Sequence, residues 1–150
     1  MRLIAEIMLT LPATKVTFEL LEESAKLPAK ANDTDACFDL YASVWTSIPA
    51  GQTGMVSLGL AMQLEAGWEA RIRGRSGLAS RGIVAHHGTI DHLYRKEVKV
   101  IIHNLSQEEF QVEIGDRVAQ LTFAPVYPVE ISEGKIELTE RGGFGSTGSR

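Results

Sequence analysis

The sequence predicts an all-β domain, a sandwich, jelly roll or barrel, from three observations. Short apolar runs recur along the 150 residues, and glycine, proline and asparagine separate them. No stretch of roughly twelve residues or more combines a clean helical period with caps. Many short strands at this spacing are typical of these architectures. A chain of this length buries about 70% of its unfolded surface, enough for one core.

The predicted strands follow one another from residue 15 to residue 127. Alternation is clear in the run that begins at Val98, because Val98, Val100 and Ile102 would share one face of a strand. Turn signals separate the runs at PAG (49–51), EAG (65–67), NLSQEE (104–109) and IGD (114–116). The runs are KVTFEL (15–20), ACFDLYAS (36–43), GQTGMVSLGLAMQL (51–64), WEARIRG (68–74), GIVAHH (82–87), VKVIIHN (98–104), EFQVEI (109–114) and RVAQLTFAPVY (117–127).

The segment HGTIDHLYRKE (87–97) predicts a hairpin between the GIVAHH run and the VKVIIHN run. Gly88 and Thr89 can start its turn. The turn then carries a carboxylate, Asp91, followed within six residues by Tyr94, Arg95 and Glu97. A surface connection needs polarity but not this combination, so the hairpin is also a candidate site.

Composition limits the classes of partner. A net charge of -4 gives no electrostatic reason to expect nucleic-acid binding, so an anionic ligand would need locally placed arginines and N–H groups. The lone Cys37 cannot form an intrachain disulfide, which fits a reducing cytoplasm. The short N-terminal apolar run, interrupted by Glu6, predicts neither a signal peptide nor a membrane span. It is an extra strand, a short helix or an arm.

Two glycine-containing segments have the composition of anion sites. GRSGLAS (74–80) places the guanidinium of Arg75 and the hydroxyl of Ser76 beside Gly77, after a predicted strand. Its alternative is an ordinary turn with an exposed arginine. The tail RGGFGSTGSR (141–150) contains Arg141, hydroxyls and Phe144. It is either a disordered end or a mobile lid whose aromatic ring stacks on a ring-shaped ligand.

Three further polar positions are candidates. Asp39 lies in an otherwise apolar strand, where it is either a surface position or a functional acid. Gln120, in GDRVAQL (115–121), is a possible polar ligand contact. The adjacent His86 and His87 would point to opposite faces of a strand, so they predict no shared metal ion.

Together, five segments resemble the homotrimeric dUTPase (deoxyuridine triphosphate nucleotidohydrolase) family. Four departures are present. Cys37 and Lys96 stand where the family commonly has glycine, Ala85 stands where it often has asparagine, and the spacing from Arg141 to Phe144 is shorter than the commonest form. The resemblance covers roughly Val16 to Gly148. The motifs, in the family's order, are ACFDLYA (36–42), GRSGLAS (74–80), GTIDHLYRKE (88–97), GDRVAQL (115–121) and RGGFGSTG (141–148).

The resemblance implies a jelly-roll-like β-barrel that forms a homotrimer with active sites between subunits. Residues 1–15 would be an N-terminal extension, residues 16–138 the barrel, and residues 139–150 a flexible Gly-rich C-terminal arm that closes a neighbour's site. It implies a cytoplasmic enzyme with no direct nucleic-acid binding and no membrane association.

The implied activity is hydrolysis of dUTP to dUMP and pyrophosphate, which limits uracil in DNA and supplies dUMP for dTMP synthesis. Asp91 would be the catalytic base for a water that attacks the α-phosphorus in line. Mg²⁺ would be held mainly by the triphosphate, with Asp39 reaching it through water. Deamination of dCTP on the same fold, alone or alongside dUTP hydrolysis, is the alternative.

The resemblance also assigns the substrate contacts. The backbone of the third motif would pair with the edge of uracil, Tyr94 would pack under the deoxyribose, and Phe144 would stack over the base. The implied contacts to the base and sugar are Gly88, Thr89, Ile90, Asp91, Tyr94, Lys99 and Phe144. The implied contacts to the phosphates are Arg75, Ser76, Gly77, Gln120, Arg141, Gly145, Ser146 and Thr147.

Overall fold

A computed structural model describes residues 14–140 of the chain. Within that range, eleven short strands and one single-turn helix form, so the prediction of an all-β protein is confirmed. The elements are β1 (Thr17–Leu20), β2 (Phe38–Tyr41), β3 (Thr46–Ile48), β4 (Thr53–Ser57), β5 (Leu60–Gln63), β6 (Trp68–Arg73), α1 (Ser76–Ala79), β7 (Ile83–Ala85), β8 (Gly88–Asp91), β9 (Lys99–Asn104), β10 (Phe110–Val112) and β11 (Arg117–Pro125).

All the strand pairs are antiparallel. The largest sheet has the order β2-β11-β6-β8, and a second has the order β4-β9-β7. Two strand pairs, β1-β5 and β10-β3, complete the arrangement. Neighbours in a sheet are therefore mostly distant in the chain, which places the ends of separate motifs side by side.

The core is formed by alternate side chains of these strands. Val98, Val100 and Ile102 are all buried, as their spacing predicts. In the largest sheet, Leu40 and Leu121 are fully buried. Removing such apolar surface from water is the main force that stabilises the packed sheets.

Three local features differ from the sequence prediction. The strand β3 was not predicted, because its three residues are too few to show alternation. The single run 51–64 is divided into β4 and β5 by Leu58 and Gly59, where Gly59 has φ +62°. The motif at 74–80 contains α1 rather than an ordinary turn.

The predicted hairpin at 87–97 is wrong. Residues Gly88–Asp91 form a strand, and the chain reverses only after Asp91, whose C=O accepts a 3.0 Å hydrogen bond from the N–H of Tyr94. The flanking strands do not pair: β8 pairs with β6, whereas β9 pairs with β4 and β7. The connection therefore crosses from one sheet to another. Local composition identifies a reversal but does not specify the partner of each strand.

Residues 126–140 contain no strand or helix and expose their apolar side chains to solvent. Ile131, Ile136 and Leu138 are 91%, 85% and 93% exposed. The last barrel strand thus ends at Pro125, before a segment whose large apolar side chains are mostly exposed to solvent. No helix in the described part of the chain is long and apolar enough to cross a membrane.

Gly59 gives a test of the fold. An added Cβ would lie 2.9 Å from Ser43 Cβ and 3.0 Å from Ala25 Cβ, in a left-handed conformation. We expect Gly59→Ala to lower the free energy of unfolding by about 2–4 kcal/mol, from strain plus overlap. Urea denaturation measures this loss. The control Gly67→Ala has φ +86° but no atom within 4 Å, so its loss should be only about 1 kcal/mol. Equal losses would contradict the overlap.

Candidate active site

The first half of the site is a recess of about 450 Å³, here called the polar recess. It is open to solvent and brings together residues from three of the predicted motifs. Its lining residues are Ala31, Asp35, Asp39, Arg75, Ser76, Gly77, Leu78, Arg117 and Gln120. All five predicted contacts that belong to this group, Asp39, Arg75, Ser76, Gly77 and Gln120, therefore lie in one place.

Strand pairing assembles the polar recess. In the register of the sheet, Gln120 lies opposite Asp39 on one side and opposite Arg73 on the other. The side-chain amide of Gln120 donates a 2.7 Å hydrogen bond to the C=O of Gly74, just beyond the end of β6. This bond joins β11 to the start of the Arg75–Gly77 segment.

An ion-pair cluster lies in the polar recess, which the carboxylate of Asp35 also lines. Asp39 accepts from Arg117 at 3.2 Å, and its other oxygen lies 3.4 Å from Arg75 Nε. Arg75 also donates a 3.0 Å hydrogen bond to the C=O of Arg117. Two guanidinium groups share one carboxylate, so this cluster has a positive surplus. Planar, multidentate donors of this kind match phosphate oxygens.

A β-bulge directs Arg117 into the polar recess. Pairing with β2 shifts between Arg117 and Ala119, so Val118 is an extra residue. Val118 and Ala119 are consecutive and both buried, which breaks the alternation of the strand. As a result, Arg117 lies on the same face as Gln120, whereas regular alternation would turn it towards the core.

The short helix α1 borders the polar recess with Ser76 and Gly77 in its first turn. The N–H groups of a first turn have no acceptor within the helix and can bind an external one. A Cβ at Gly77 would meet nothing within 4 Å in this chain, and its φ is not in the left-handed region. The fold itself therefore does not require glycine here, which suits close approach by a ligand.

The second half is a recess of about 250 Å³, here called the strand-edge recess. It contains every predicted contact from the third motif, together with Lys99. Its lining residues are Ile72, Gly88, Thr89, Ile90, Asp91, Tyr94, Val98 and Lys99. Because β8 is the last strand of its sheet within residues 14–140, one of its edges keeps backbone N–H and C=O groups without a strand partner.

The loop after β8 places Tyr94 at this recess. The ring is 41% exposed, and the hydroxyl donates a 2.9 Å hydrogen bond to the C=O of Glu97. Burial raises the pKa of Glu97, but hydrogen bonds from Ser57 and Gly59 and the charge of Lys99 outweigh it, so the pKa lies below its ordinary value. Glu97 is therefore an anionic anchor for the loop.

The two recesses are separate within one chain, since no residue lines both. Along β6, Asp91 pairs with Glu69, whereas Gln120 pairs with Arg73, four positions further on. At about 3.3 Å per residue, this offset is roughly 13 Å. A single chain thus does not bring Asp91 to the arginines of the polar recess.

The donor set does not form a complete metal site. Among residues 14–140, no group of three or more His, Cys, Asp or Glu side chains is arranged to hold an ion. Asp39 is a single carboxylate between two guanidinium groups. Such a carboxylate fits contact with metal-bound water, while Mg²⁺ takes most of its ligands from phosphates and solvent. His86 packs edge-on against His103, with ring centroids 5.9 Å apart.

The predicted tail contacts Arg141, Phe144, Gly145, Ser146 and Thr147 lie outside the described residues. Within residues 14–140, sequence reasoning missed two functional candidates, Arg117 and Glu97. Arg117 belongs to a motif that was recognised, but the bulge that directs it has no sequence signal. Glu97 ends the third motif, yet its partners Ser57 and Gly59 are about 40 positions away in the chain.

These features define an all-β protein with an arginine-containing polar recess and a separate recess at the edge of a strand. The dUTPase family model matches residues 23–148. The chain belongs to the dUTPase family, which confirms the resemblance drawn from the five motifs.

The relatives support the assignment to the family, and the solved structures support the fold. A deoxyuridine 5'-triphosphate nucleotidohydrolase of Yarrowia lipolytica is 45% identical over 140 residues, covering 89% of this chain and 88% of the relative. One from Helicobacter pylori is 38% identical, covering 89% and 97%. A dUTPase of Staphylococcus bacteriophage 80alpha, solved with dUpNHpp, superposes with a TM-score of 0.81 at 22% identity, covering 89% of this chain and 98% of that one. The jelly-roll-like fold is thereby confirmed.

A second solved structure concerns a metal. The dUTPase from phage phi11 of S. aureus superposes with a TM-score of 0.75 at 21% identity, covering 81% of this chain and 97% of that one. Its structure concerns the coordination of a structural Mg(II) ion in that protein.

The charge of the polar recess can be tested with inorganic pyrophosphate in metal-free buffer. Asp39→Asn removes the negative charge between Arg75 and Arg117, so we expect pyrophosphate to bind about three- to tenfold more tightly. Isothermal titration measures the change. Asp33→Asn is the control, because Asp33 is an exposed carboxylate outside the recess and its loss should change binding by less than about twofold. Weaker binding by Asp39→Asn alone would contradict this reading.

Proposed function

We propose that this chain hydrolyses dUTP to dUMP and pyrophosphate by in-line attack of water on the α-phosphorus, which limits uracil in DNA and supplies dUMP for dTMP synthesis. The observation that carries the proposal is the placement of Asp91 in a dUTPase-family chain. Asp91 lies at the exposed end of the edge strand β8, beside free backbone groups. The names of the relatives favour this activity over deamination of dCTP.

Asp91 is the proposed catalytic base. A carboxylate in the strand-edge recess accepts a hydrogen bond from water and takes its proton as the new bond to phosphorus forms. Its backbone is fixed on both sides, by pairing with Glu69 and by the turn bond from Tyr94. A fixed base keeps the water in line with the bond that breaks.

The polar recess is the proposed phosphate site. The guanidinium of Arg75, the hydroxyl of Ser76, the N–H of Gly77 and the amide of Gln120 hold the triphosphate, and Arg117 adds a second guanidinium. When bound, Mg²⁺ supplies neutralisation of charge on the leaving pyrophosphate. Asp39 would contact water bound to that ion, and it keeps Arg75 and Arg117 in position before the substrate arrives.

The free edge of β8 is the proposed uracil template. Backbone groups of Gly88, Thr89 and Ile90 offer N–H donors and a C=O acceptor to the complementary edge of uracil. Cytosine has the opposite donor and acceptor at two positions, so it would leave buried polar groups unpaired. Thymine is excluded by its methyl group against the closely packed strand. Lys99 lies at the same recess and contributes through its backbone.

Tyr94 is the proposed sugar gate. Its ring lines the strand-edge recess, and its hydroxyl is held by the C=O of Glu97. A ring fixed against the deoxyribose leaves no room for a 2′-hydroxyl, so UTP is refused. Discrimination by exclusion of one small group depends on how firmly the ring is held.

The active unit is proposed to be a homotrimer with shared sites. The separation of the two recesses supports this, because Asp91 of one copy must meet a polar recess of another. The exposed apolar side chains of residues 126–138 support it too, since packing against a neighbour would remove them from water. The barrel then comprises residues 16–138, with residues 1–15 as an extension.

Residues 139–150 are proposed to be a flexible arm that closes a neighbouring site. Phe144 would stack over uracil, and Arg141, Gly145, Ser146 and Thr147 would bind the phosphates. This part of the proposal comes from the fifth motif of the family. A closed arm excludes water other than the nucleophile.

The substrate proposal is tested by pyrophosphate release from dUTP, UTP, dCTP and dTTP, with and without Mg²⁺. We expect kcat/KM for dUTP to exceed that for dCTP by roughly 10⁴-fold, because the template leaves polar groups unpaired with cytosine. A parallel ammonia assay with dCTP tests the deaminase alternative. Ammonia release without pyrophosphate release from dUTP would overturn the proposal.

The role of Asp91 is tested by Asp91→Asn. We expect binding of the imido analogue dUpNHpp to stay within about threefold, while kcat falls by at least about 100-fold, because an amide is not a base. Single-turnover kinetics and calorimetry give the two values. Asp33→Asn, an exposed carboxylate outside both recesses, is the control and should turn over normally. Normal turnover by Asp91→Asn would remove the assignment.

A further inference from the structure

The loop between β8 and β9 is anchored at its far end by the side chain of Glu97. One carboxylate oxygen accepts a 2.6 Å hydrogen bond from the hydroxyl of Ser57 and a 3.2 Å bond from the N–H of Gly59. The other oxygen lies 3.3 Å from Lys99 Nζ. Ser57 ends β4, Gly59 lies in the β4–β5 connection and Lys99 begins β9, so Glu97 joins the loop to the second sheet.

The backbone of Glu97 holds the tyrosine. Its C=O accepts the hydroxyl of Tyr94, and the N–H of Tyr94 in turn donates to Asp91. The next residue, Val98, donates its N–H to the C=O of Leu60 at 2.8 Å. Tyr94 is thus held at two points, by its ring hydroxyl and by its backbone N–H, and the hydroxyl contact depends on where the end of the loop is anchored.

Glu97 itself does not line the strand-edge recess, whereas Tyr94, Val98 and Lys99 do. Its side chain is 23% exposed and is directed to the connection between β4 and β5. It therefore acts on a bound nucleotide only through the residues it holds. Gly59 is suited to its part, because it is buried and has a left-handed backbone that a side chain would strain.

We propose that Glu97 is a positioning residue that fixes Tyr94 against the sugar and thereby sets the preference for dUTP over UTP. This inference rests on the proposed function of the strand-edge recess. Discrimination against the 2′-hydroxyl then depends on two residues, Tyr94 and the Glu97 that anchors its loop.

Glu97→Ala is the main test. Loss of two hydrogen bonds to a partly exposed carboxylate should raise KM for dUTP about three- to tenfold and lower the dUTP/UTP ratio of kcat/KM by a similar factor. Because Asp91 is fixed by β6, kcat for dUTP should change by less than about twofold. Unchanged KM and ratio, or an equal fall in kcat for both substrates, would overturn the proposal.

Conservative and matched variants separate positioning from general destabilisation. Glu97→Gln keeps a carbonyl oxygen for Ser57 and Gly59 and loses only the pairing with Lys99, so it should restore most of the preference. Ser57→Ala removes one donor and should shift KM and the ratio in the same direction, which keeps the test available if Glu97→Ala folds poorly. Glu109→Ala breaks a comparable carboxylate–serine bond, to Ser47, far from the loop, and should leave both unchanged.

Hydrogen exchange of the ligand-free protein tests the anchor without the reaction. The amides of Tyr94 and Val98 should exchange about three- to tenfold faster in Glu97→Ala, whereas amides of β10 should not change. If the wild type releases no pyrophosphate from dUTP, the proposed function fails while this measurement still reports on the anchor. Unchanged exchange at both amides would overturn the anchor itself.

Discussion

The pairing of β11 with both β2 and β6 is the constraint on which the polar recess depends. It places Gln120 between Asp39 and Arg73, and so brings together segments that are far apart in the chain. The ion pairs of Asp39 are too exposed to determine this arrangement, because partly solvated pairs contribute about 1 kcal/mol or less. Burial of side chains such as Leu121 stabilises the sheet. The paired strands in turn determine where the charged side chains lie.

The second constraint is the passage of the chain from one sheet to the other after Asp91. Had β8 and β9 formed a hairpin, the backbone groups of β8 would be used by its neighbour. Crossing to the other sheet leaves an edge free, but an unpaired edge is a hazard for aggregation in most proteins. The short length of β8 and its charged end limit that hazard. Exposed backbone groups of this kind are what the recognition of a nucleobase requires.

The sequence predicted the all-β composition and residues that the structure places in the two recesses, but not the separation of those recesses. Alternation identified the buried face of β9, and residue chemistry singled out Asp39, Arg75 and Asp91. The sequence did not predict which strands pair, because pairing depends on contacts between segments that are distant in the chain. The bulge that directs Arg117 and the anchor formed by Glu97 escaped for the same reason.

The separation of the two recesses has a consequence for the fraction of the protein that is active. In the proposed homotrimer, a lone subunit would carry the proposed base in one recess and the proposed phosphate-binding arginines in the other, so it would hold only parts of different sites. Catalytic output would then rise more steeply than in proportion to the amount of chain when the protein is scarce, because dilution shifts the equilibrium towards lone subunits. Turnover per subunit would therefore depend on the concentration of the protein.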